Sequence, residues 1–341
     1  MFGLSAQAQS WVTPAVCEVD TPRIDAHVLS AERLDALRSE AAKIPNAVGN
    51  FWRITAPDGA VSHVWGTMHS SDRHVLTLPD IVIDEITRAR LLAIEADYTA
   101  ESRAELARLN DPEGWFREYN GRDPVSYESL GIPAAITEAL NARLEAASWG
   151  RDAQDLLTFG GLLEAVWADP CEDFANGVLP IQDARIQMLA HIAGVPTKGL
   201  EPPDRFLRRV NHPDATELAR ALLMMTGSYL EETNAATLQA DRSTFFALYL
   251  AGEHALLERW DRAEIIARFG SEGGQRIYNT SMDYLLSERN HDFLAAIRDD
   301  LHQGGVFMAI GASHLSGRNG IVELMRRDGF EVTRIKLERE R

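Results

Sequence analysis

The sequence predicts an α/β protein whose mixed central sheet is built from both ends of the chain, with a large helical insertion between them. Strand-like segments cluster at residues 51–97 and 306–337, and helical patterns fill most of the residues between. The run LLAIEAD at 91–97 is continuously apolar before its acidic end. Such runs are typical of strands that are buried on both faces of a parallel sheet.

The first cluster is predicted to be two strands followed by a helix and a third strand. Residues 51–66 form two strands joined at Pro57-Asp58-Gly59, because proline presets φ, aspartate bonds its own backbone and glycine accepts a positive φ. The segment after Pro79 has apolar residues at helical spacing and leads into the strand at 91–97. A strand, helix and strand in this order form a βαβ unit, whose crossover we expect to be right-handed.

The rest of the chain is predicted to be helical, with strands returning near its end. Residues 101–193 and 204–300 have helical patterns, separated by a brief strand near 195–200. A strand at 306–311, a helix at 320–329 and a strand at 330–337 close the chain. We therefore expect an N-terminal extension over 1–49 and one domain over 50–341, which carries a mainly helical insertion at 101–300.

Composition and missing motifs exclude several classes of function. The 341 residues include 34 basic and 51 acidic side chains, for a net charge of −17, so nucleic acid is not an expected partner. No apolar run approaches the roughly 20 residues that cross a bilayer, so no membrane span is expected. The sequence contains no GxxxxGK[ST], GxGxxG, GxSxG or HExxH motif. These absences argue against nucleotide-dependent, serine-hydrolase and zincin chemistry.

The two cysteines and the first residues bear on the compartment. Cys17 and Cys171 form a disulfide if the protein is exported, or are two separate buried thiols if it is not. Ala6-Gln7-Ala8 has the A-x-A pattern of a signal cleavage site, although a basic start and an apolar stretch are missing. This start is either the end of an export signal or a frayed terminus. The predicted location is periplasmic or secreted, with a cytoplasmic location as the alternative.

Two matching tetrapeptides supply the main candidates for chemistry. Gly66-Thr67-Met68-His69 and Gly311-Ala312-Ser313-His314 each place a glycine where a predicted strand ends and a histidine three residues later. Ligands of open α/β sheets bind beyond the carboxyl ends of strands, so both imidazoles are expected to face one crevice. Glycine has no Cβ, and it is expected to let the backbone turn sharply at this point.

An acidic residue between the motifs completes a candidate metal site. Glu95 and Asp97 alternate at the end of the apolar strand and share one of its faces. A carboxylate in such a run is costly unless it is paired or binds metal, and the alternative is that both residues lie solvated just past the strand. Two neutral histidines and one carboxylate suit a divalent transition metal that keeps an open position for water.

Three other histidines are expected to be structural or solvated. His63 precedes the first motif on its strand, and His74 lies in a polar loop. His254 and Glu258 have an i,i+4 spacing that can bind metal, but an exposed helical pair of this kind is the more common case.

These motifs, in this order, resemble the TraB/PrgY/GumN family, which includes the Tiki proteases. That family has an early and a late GxxH motif and an acidic residue after the strand that follows the first motif. The resemblance covers roughly residues 50–337. Three further segments carry it: LPIQDARIQMLAHIAGVPTKGLEP at 179–202, LLSERN at 285–290 and the closing GASHLSGRNGIVELMRRDGFEV.

The resemblance implies a fold similar to that of erythromycin-esterase and ChaN-like proteins, and metal-dependent peptidase chemistry with manganese or cobalt, or else zinc. It also implies a role for each matching side chain: His69 and His314 are metal ligands, Glu95 is the third ligand or a general base, Arg289 contacts substrate or orients the carboxylate, and Asn290 supports Arg289. Glu201 and Asp183 stand at family-like positions, but Ile181-Gln182-Asp183 replaces the usual Leu-Asp, which leaves the register of Asp183 open.

The sequence therefore predicts a metal-dependent hydrolase that acts on a peptide or protein substrate. Arg289 is expected to stabilise the oxyanion, and Glu95 or Glu201 to pass a proton to the leaving amine. One alternative is a non-catalytic protein on the same scaffold that binds a peptide, haem or saccharide. Another is an ester hydrolase that uses a metal-activated water or a histidine base. The sequence leaves the oligomeric state undetermined.

Overall fold

A six-stranded mixed sheet forms the centre of the chain in the computed structural model, which describes residues 17, 19–97, 127–147, 149–167, 171, 181–232, 234–338 and 340. The strand order is β4-β3-β5-β2-β1-β6. The strands are β1 (Phe51–Thr55), β2 (Val61–Thr67), β3 (Leu91–Ala96), β4 (Thr197–Glu201), β5 (Val306–Gly311) and β6 (Glu331–Arg334).

The pairing of the strands confirms a mixed sheet built from both ends of the chain. Strands β2 to β5 run parallel to one another, and β1 is antiparallel to both of its neighbours, β2 and β6. The predicted turn joins β1 and β2: Gly59 has φ +92° and donates its N–H to the Ala56 carbonyl over 2.8 Å. The strands of the predicted βαβ unit, β2 and β3, are parallel, but β5 lies between them. The late strand thus separates two strands that are close in sequence.

Helices surround the sheet and form most of the middle of the chain. Part of the helical stretch predicted at 101–193 lies outside the described residues. The described α-helices are α1 (Ala31–Ala41), α2 (Arg73–Leu76), α3 (Asp80–Arg88), α4 (Ala134–Ala146), α5 (Phe159–Trp167), α6 (Gln182–Ile192), α7 (Arg205–Val210), α8 (Thr216–Tyr229), α9 (Ala235–Leu250), α10 (His254–Phe269), α11 (Ser271–Met282), α12 (Arg289–Gln303) and α13 (Ile321–Arg327). Among the described residues, no helix is long and apolar enough to cross a bilayer.

Apolar side chains cover both faces of the sheet. Along β5, Met308 and Ile310 join a cluster formed with α12 and α13, whereas Phe307 and Ala309 join a cluster on the other face, with α3 and α6. Successive side chains of a strand point to opposite faces, so a strand that is covered on both sides must be apolar at every position. Burial from both sides therefore explains the continuous run VFMAI.

The described part of the N-terminal extension packs against the ends of the strands. Leu29 and Leu37 are buried in a cluster with α9 and α10, and the same cluster includes Ala312 and, partly buried, Met68 of the two GxxH segments. Arg38 of α1 forms a bidentate ion pair with Glu253, with both N–O distances at 3.1 Å. The extension thus shares an apolar core with the loops that carry both motif histidines.

The two cysteines form a disulfide. The Cα atoms of Cys17 and Cys171 are 5.3 Å apart, and the bond joins residues separated by 154 positions. The sequence left open whether these cysteines form a disulfide or remain separate thiols, and the structure shows the disulfide. The bond attaches the N-terminal extension to the helical insertion.

Candidate active site at the carboxyl ends of the parallel strands

The two GxxH motifs start side by side at one edge of the sheet. In the pairing of β2 with β5, Thr67 is opposite Gly311, so both strands end at the same level. On the other side of β5, β3 pairs with β4, and Ala96 is opposite Glu201. Parallel strands that end together bring the residues after them to a common crevice. The topology therefore places both motifs beside the ends of β3 and β4.

The motif glycines allow close approach, which corrects the sharp-turn role expected from the sequence. Neither glycine has a positive φ; Gly311 has φ −50°. A Cβ on Gly66 would lie 2.7 Å from Leu315 Cδ1 and 3.0 Å from Ala312 Cα. A Cβ on Gly311 would lie 3.1 Å from Glu95 Oε1. Each glycine thus admits a neighbouring segment of the site that a larger residue would push away.

The imidazole of His314 is buried and held in a defined tautomer. Its Nδ1 lies 2.8 Å from Asn290 Oδ1. The Asn290 amide donates through Nδ2 to the carbonyls of Asn319 and His314, at 2.8 and 3.3 Å, so its oxygen faces the ring. Nδ1 therefore carries the proton, and Nε2 keeps its lone pair. Burial lowers the pKa of His314 to about 4, which keeps the ring neutral.

Arg289 lies between two carboxylates and the second histidine. Its Nη2 donates to Glu95 Oε2 at 2.5 Å and to Glu201 Oε1 at 2.7 Å, and its Nε lies 3.1 Å from both Glu201 oxygens. Its Nη1 is 3.4 Å from His314 Nε2. A π-helical segment, Asp283–Glu288, leads directly into Arg289, and wide turns of this kind are frequent at functional sites.

Glu95 is held as a carboxylate. Its Oε1 accepts the backbone N–H of Gly311 at 2.6 Å and lies 3.7 Å from His314 Nε2. Burial by itself would raise the pKa of Glu95, but His314, which is protonated in the acid range where Glu95 titrates, outweighs burial together with Arg289 and His69 and lowers the pKa to about 2. The alternative left open by the sequence, that Glu95 lies solvated past the strand, is thus wrong. Asp97, by contrast, is not in this group and accepts from Gln187 at 2.8 Å.

His69 is exposed, and its ring is held from one side by Asp183. The side chain of His69 is 61% exposed, and Nδ1 lies 2.9 Å from Asp183 Oδ2. The second oxygen of Asp183 accepts the Thr67 hydroxyl at 2.7 Å. The Asp183 carboxylate raises the pKa of His69, an effect that water weakens at an exposed ring. The sequence left the register of Asp183 open. In the structure, Asp183 contacts the first motif directly.

Gln182 is a residue of this site that sequence reasoning missed. Its buried Oε1 lies 3.2 Å from Met68 N, 3.2 Å from Trp65 Nε1 and 2.9 Å from the Tyr249 hydroxyl. Its Nε2 donates to the Val75 carbonyl at 2.5 Å. The available signal was spacing, because Gln182 lies on the same helical face as the buried Ile186 and Ala190. Gln182 holds the backbone of the first motif, and the adjacent Asp183 holds its histidine.

The donors suit a divalent transition metal in kind. The Nδ1 atoms of His69 and His314 each meet an oxygen, so each ring has Nε2 as the nitrogen available to a ligand. Within the described ranges, however, no three histidine, cysteine, aspartate or glutamate side chains lie together as a metal-holding group. The cation that contacts Glu95 and approaches His314 in this arrangement is the Arg289 guanidinium.

Two of the other histidines have structural surroundings. The His63 ring stacks on Phe51 at 5.4 Å, and its Nδ1 lies 3.2 Å from Glu85. His254 is buried, with Nε2 2.6 Å from Asn50 Oδ1. These contacts confirm the structural role expected for His63. The exposed pair expected for His254 and Glu258 is wrong, because His254 is buried.

Comparison with known proteins identifies the family. No curated protein and no solved structure matches the sequence. The model of the TraB/PrgY/gumN family matches residues 50–334, which include both GxxH motifs, Glu95, Glu201 and Arg289. The match covers most of the chain and agrees with the motif order that the sequence displays. The chain therefore belongs to the TraB/PrgY/gumN family.

Proposed function

We propose that this protein is a metal-dependent hydrolase that cleaves peptide bonds of a peptide or protein substrate. The observation that carries the proposal is the pair of imidazoles on neighbouring strand ends, each engaged through Nδ1, beside an ionised Glu95. His69, His314 and Glu95 would hold the metal, with manganese or cobalt expected and zinc as a further candidate. When bound, such an ion supplies Lewis acidity and lowers the pKa of water.

The other side chains of the site would act on the substrate. Arg289 is fixed by two carboxylates, and its Nη1 makes only long contacts, at 3.3 Å to Leu285 O and 3.4 Å to His314 Nε2. Nη1 is therefore available to donate to an oxyanion. Glu95 or Glu201, which both accept from Arg289 Nη2, would pass the proton to the leaving amine. Asn290 would hold His314 in place throughout.

A second candidate, metal-independent ester hydrolysis, is favoured by the pairing of His69 and Asp183. An exposed imidazole with a carboxylate on its Nδ1 is the arrangement of a histidine general base and its orienting group. His69 would then remove a proton from water directly. In that case chelators leave activity unchanged, and esters are cleaved in preference to amides.

The decisive experiment combines elemental analysis with cleavage of a peptide library. Wild type, His69→Ala and His314→Ala are compared with His212→Ala, which removes an exposed loop histidine paired with Asp214. The metal-dependent proposal predicts cleavage that a chelator abolishes and Mn²⁺ restores, and that only the two motif variants lose. Cleavage that is unchanged in His69→Ala would refute it. Metal-free protein without cleavage would favour the non-catalytic binding alternative.

We also propose that the protein acts in the periplasm or outside the cell. The support is the disulfide between Cys17 and Cys171, because such bonds persist in oxidising compartments and are rare in the cytosol. A thiol count on protein isolated from cells under alkylating conditions tests this. Two free thiols per chain would favour the cytoplasmic alternative.

A further inference from the structure

The His69 ring contacts the Asp183 carboxylate. His69 Nδ1 lies 2.9 Å from Asp183 Oδ2, and the imidazole is otherwise largely exposed to water. A free surface imidazole changes rotamer rapidly and populates both neutral tautomers. We propose that Asp183 is a positioning residue that fixes the rotamer and tautomer of His69, so that Nε2 is the nitrogen offered to a ligand. The use of that nitrogen rests on the proposed function; the positioning itself does not.

Both oxygens of Asp183 are needed for this role. Oδ2 accepts the His69 Nδ1–H, and Oδ1 accepts the Thr67 hydroxyl at 2.7 Å. Thr67 is buried at the end of β2, so its hydroxyl anchors the carboxylate to the sheet. An asparagine offers one acceptor oxygen and one NH₂ group. If Asp183→Asn keeps the Thr67 bond, its NH₂ group faces Nδ1 and favours the tautomer protonated at Nε2.

The residue next to Asp183 also bonds to the first motif. The preceding residue, Gln182, is buried and bonds to Met68 N, the residue immediately before His69. Two consecutive residues of helix α6 therefore hold the first motif: Gln182 bonds to its backbone, and Asp183 bonds to its histidine side chain. This double attachment holds the carboxylate at a fixed distance from the ring.

The two motif histidines are positioned by different groups, for a reason that follows from burial. His314 is 4% exposed and meets the neutral amide of Asn290, whereas the exposed His69 meets a carboxylate. A second carboxylate beside His314, where Glu95 already lies, would carry a large desolvation cost. At the exposed ring a carboxylate costs little, because one side of the pair remains solvated. Outer partners of this kind orient metal-ligating histidines.

The test reads the ring N–H of His69 in metal-free protein. With ¹⁵N-histidine labelling, the wild type should show a slowly exchanging ring N–H correlation that His69→Gln removes. This signal is expected whether the ring is neutral or charged, because Nδ1–H is bonded in both states. Asp183→Asn should shift or abolish it, and Thr67→Val should increase its exchange rate. The matched control is Asp84→Asn, which removes an exposed carboxylate paired with Arg88 on α3.

Mn²⁺ titration provides the second readout. Loss of an outer-shell partner weakens metal binding by about 10- to 100-fold, so that increase in Kd is expected for Asp183→Asn and not for Asp84→Asn. An unchanged His69 N–H correlation in a folded Asp183→Asn protein would overturn the positioning role. If the correlation changes but no variant or wild type binds Mn²⁺, the positioning inference stands and the proposed metal-dependent function fails.

Discussion

Replacing Arg289 with glutamine should destabilise the protein most strongly at neutral pH. The substitution leaves Glu95, 13% exposed, without its arginine, whereas Glu201, 11% exposed, keeps Arg205 at 3.5 Å from its Oε2. Removing one partner of a buried ion pair costs about 3–5 kcal/mol, because the remaining charge stays buried and unpaired. Glu95 is the group most affected, because His314, Arg289, His69 and the Gly311 N–H together hold its pKa at about 2, below the ordinary value of 4.5.

The pH dependence of this loss follows from the direction of the Glu95 shift. Because the folded-state pKa is below the unfolded value, the stabilisation is complete above about pH 4.5 and disappears as the pH falls through about 2. Arg289→Gln should therefore lose about 3 kcal/mol at pH 7.5 and much less at pH 3. Urea unfolding followed by circular dichroism, with EDTA present throughout, measures the difference.

A matched control separates the buried site from an ordinary ion pair. Arg276→Gln removes an exposed arginine, 67% accessible, that pairs with Glu272 one helical turn away. Exposed pairs contribute about 0–1 kcal/mol, so this variant should resemble the wild type at both pH values. Equal losses for Arg289→Gln at pH 3 and pH 7.5, or a loss no larger than that of the control, would refute the reasoning.

Three further predictions concern stability outside this ion pair. Leu29→Ala, in the extension beyond the family match, should cost about 2–5 kcal/mol in urea unfolding, against less than about 0.5 for the exposed Leu156→Ala. Burial and two neighbouring glutamates raise the pKa of Asp261 to about 7, so the free energy of unfolding should decrease as the pH rises from about 4 to 7. Asp261→Asn should reduce this decrease, and a pH profile parallel to that of the wild type would contradict the prediction. Cys17→Ser should cost about 2–5 kcal/mol by opening the bond to Cys171, and reductant should bring the wild type to the same value.

Much of the secondary structure and the sheet composition could be predicted from local patterns. The continuous apolar runs at 91–94 and 306–310 became β3 and β5, both covered on two faces, and Pro57-Asp58-Gly59 became the turn between β1 and β2. These predictions succeed because burial on both faces and turn conformation each restrict residue type at adjacent positions. The insertion of β5 between β2 and β3 was not predictable in this way, because strand order depends on contacts between distant segments.

The residues of the candidate site could be predicted from the sequence, but their contacts could not. The order of the GxxH motifs, Glu95 and Arg289 already indicated the family and which side chains would gather at the strand ends. Their detailed partners were not readable from the sequence. The role expected for the glycines as turn residues was wrong, since Gly66 and Gly311 serve close packing at negative φ instead. Contacts with other segments, and not the local backbone, impose that requirement.

By itself, the sequence determined the fold class, the family and the residues that carry the candidate chemistry, because these depend on residue types at short spacings along the chain. Only the tertiary structure decided that Asp183 and Asn290 hold the two histidines, that Arg289 lies between Glu95 and Glu201, and that Cys17 pairs with Cys171. Each of these depends on distances of a few ångströms between residues that are tens to hundreds of positions apart. Such distances are set by how helices and strands pack, which no local pattern encodes.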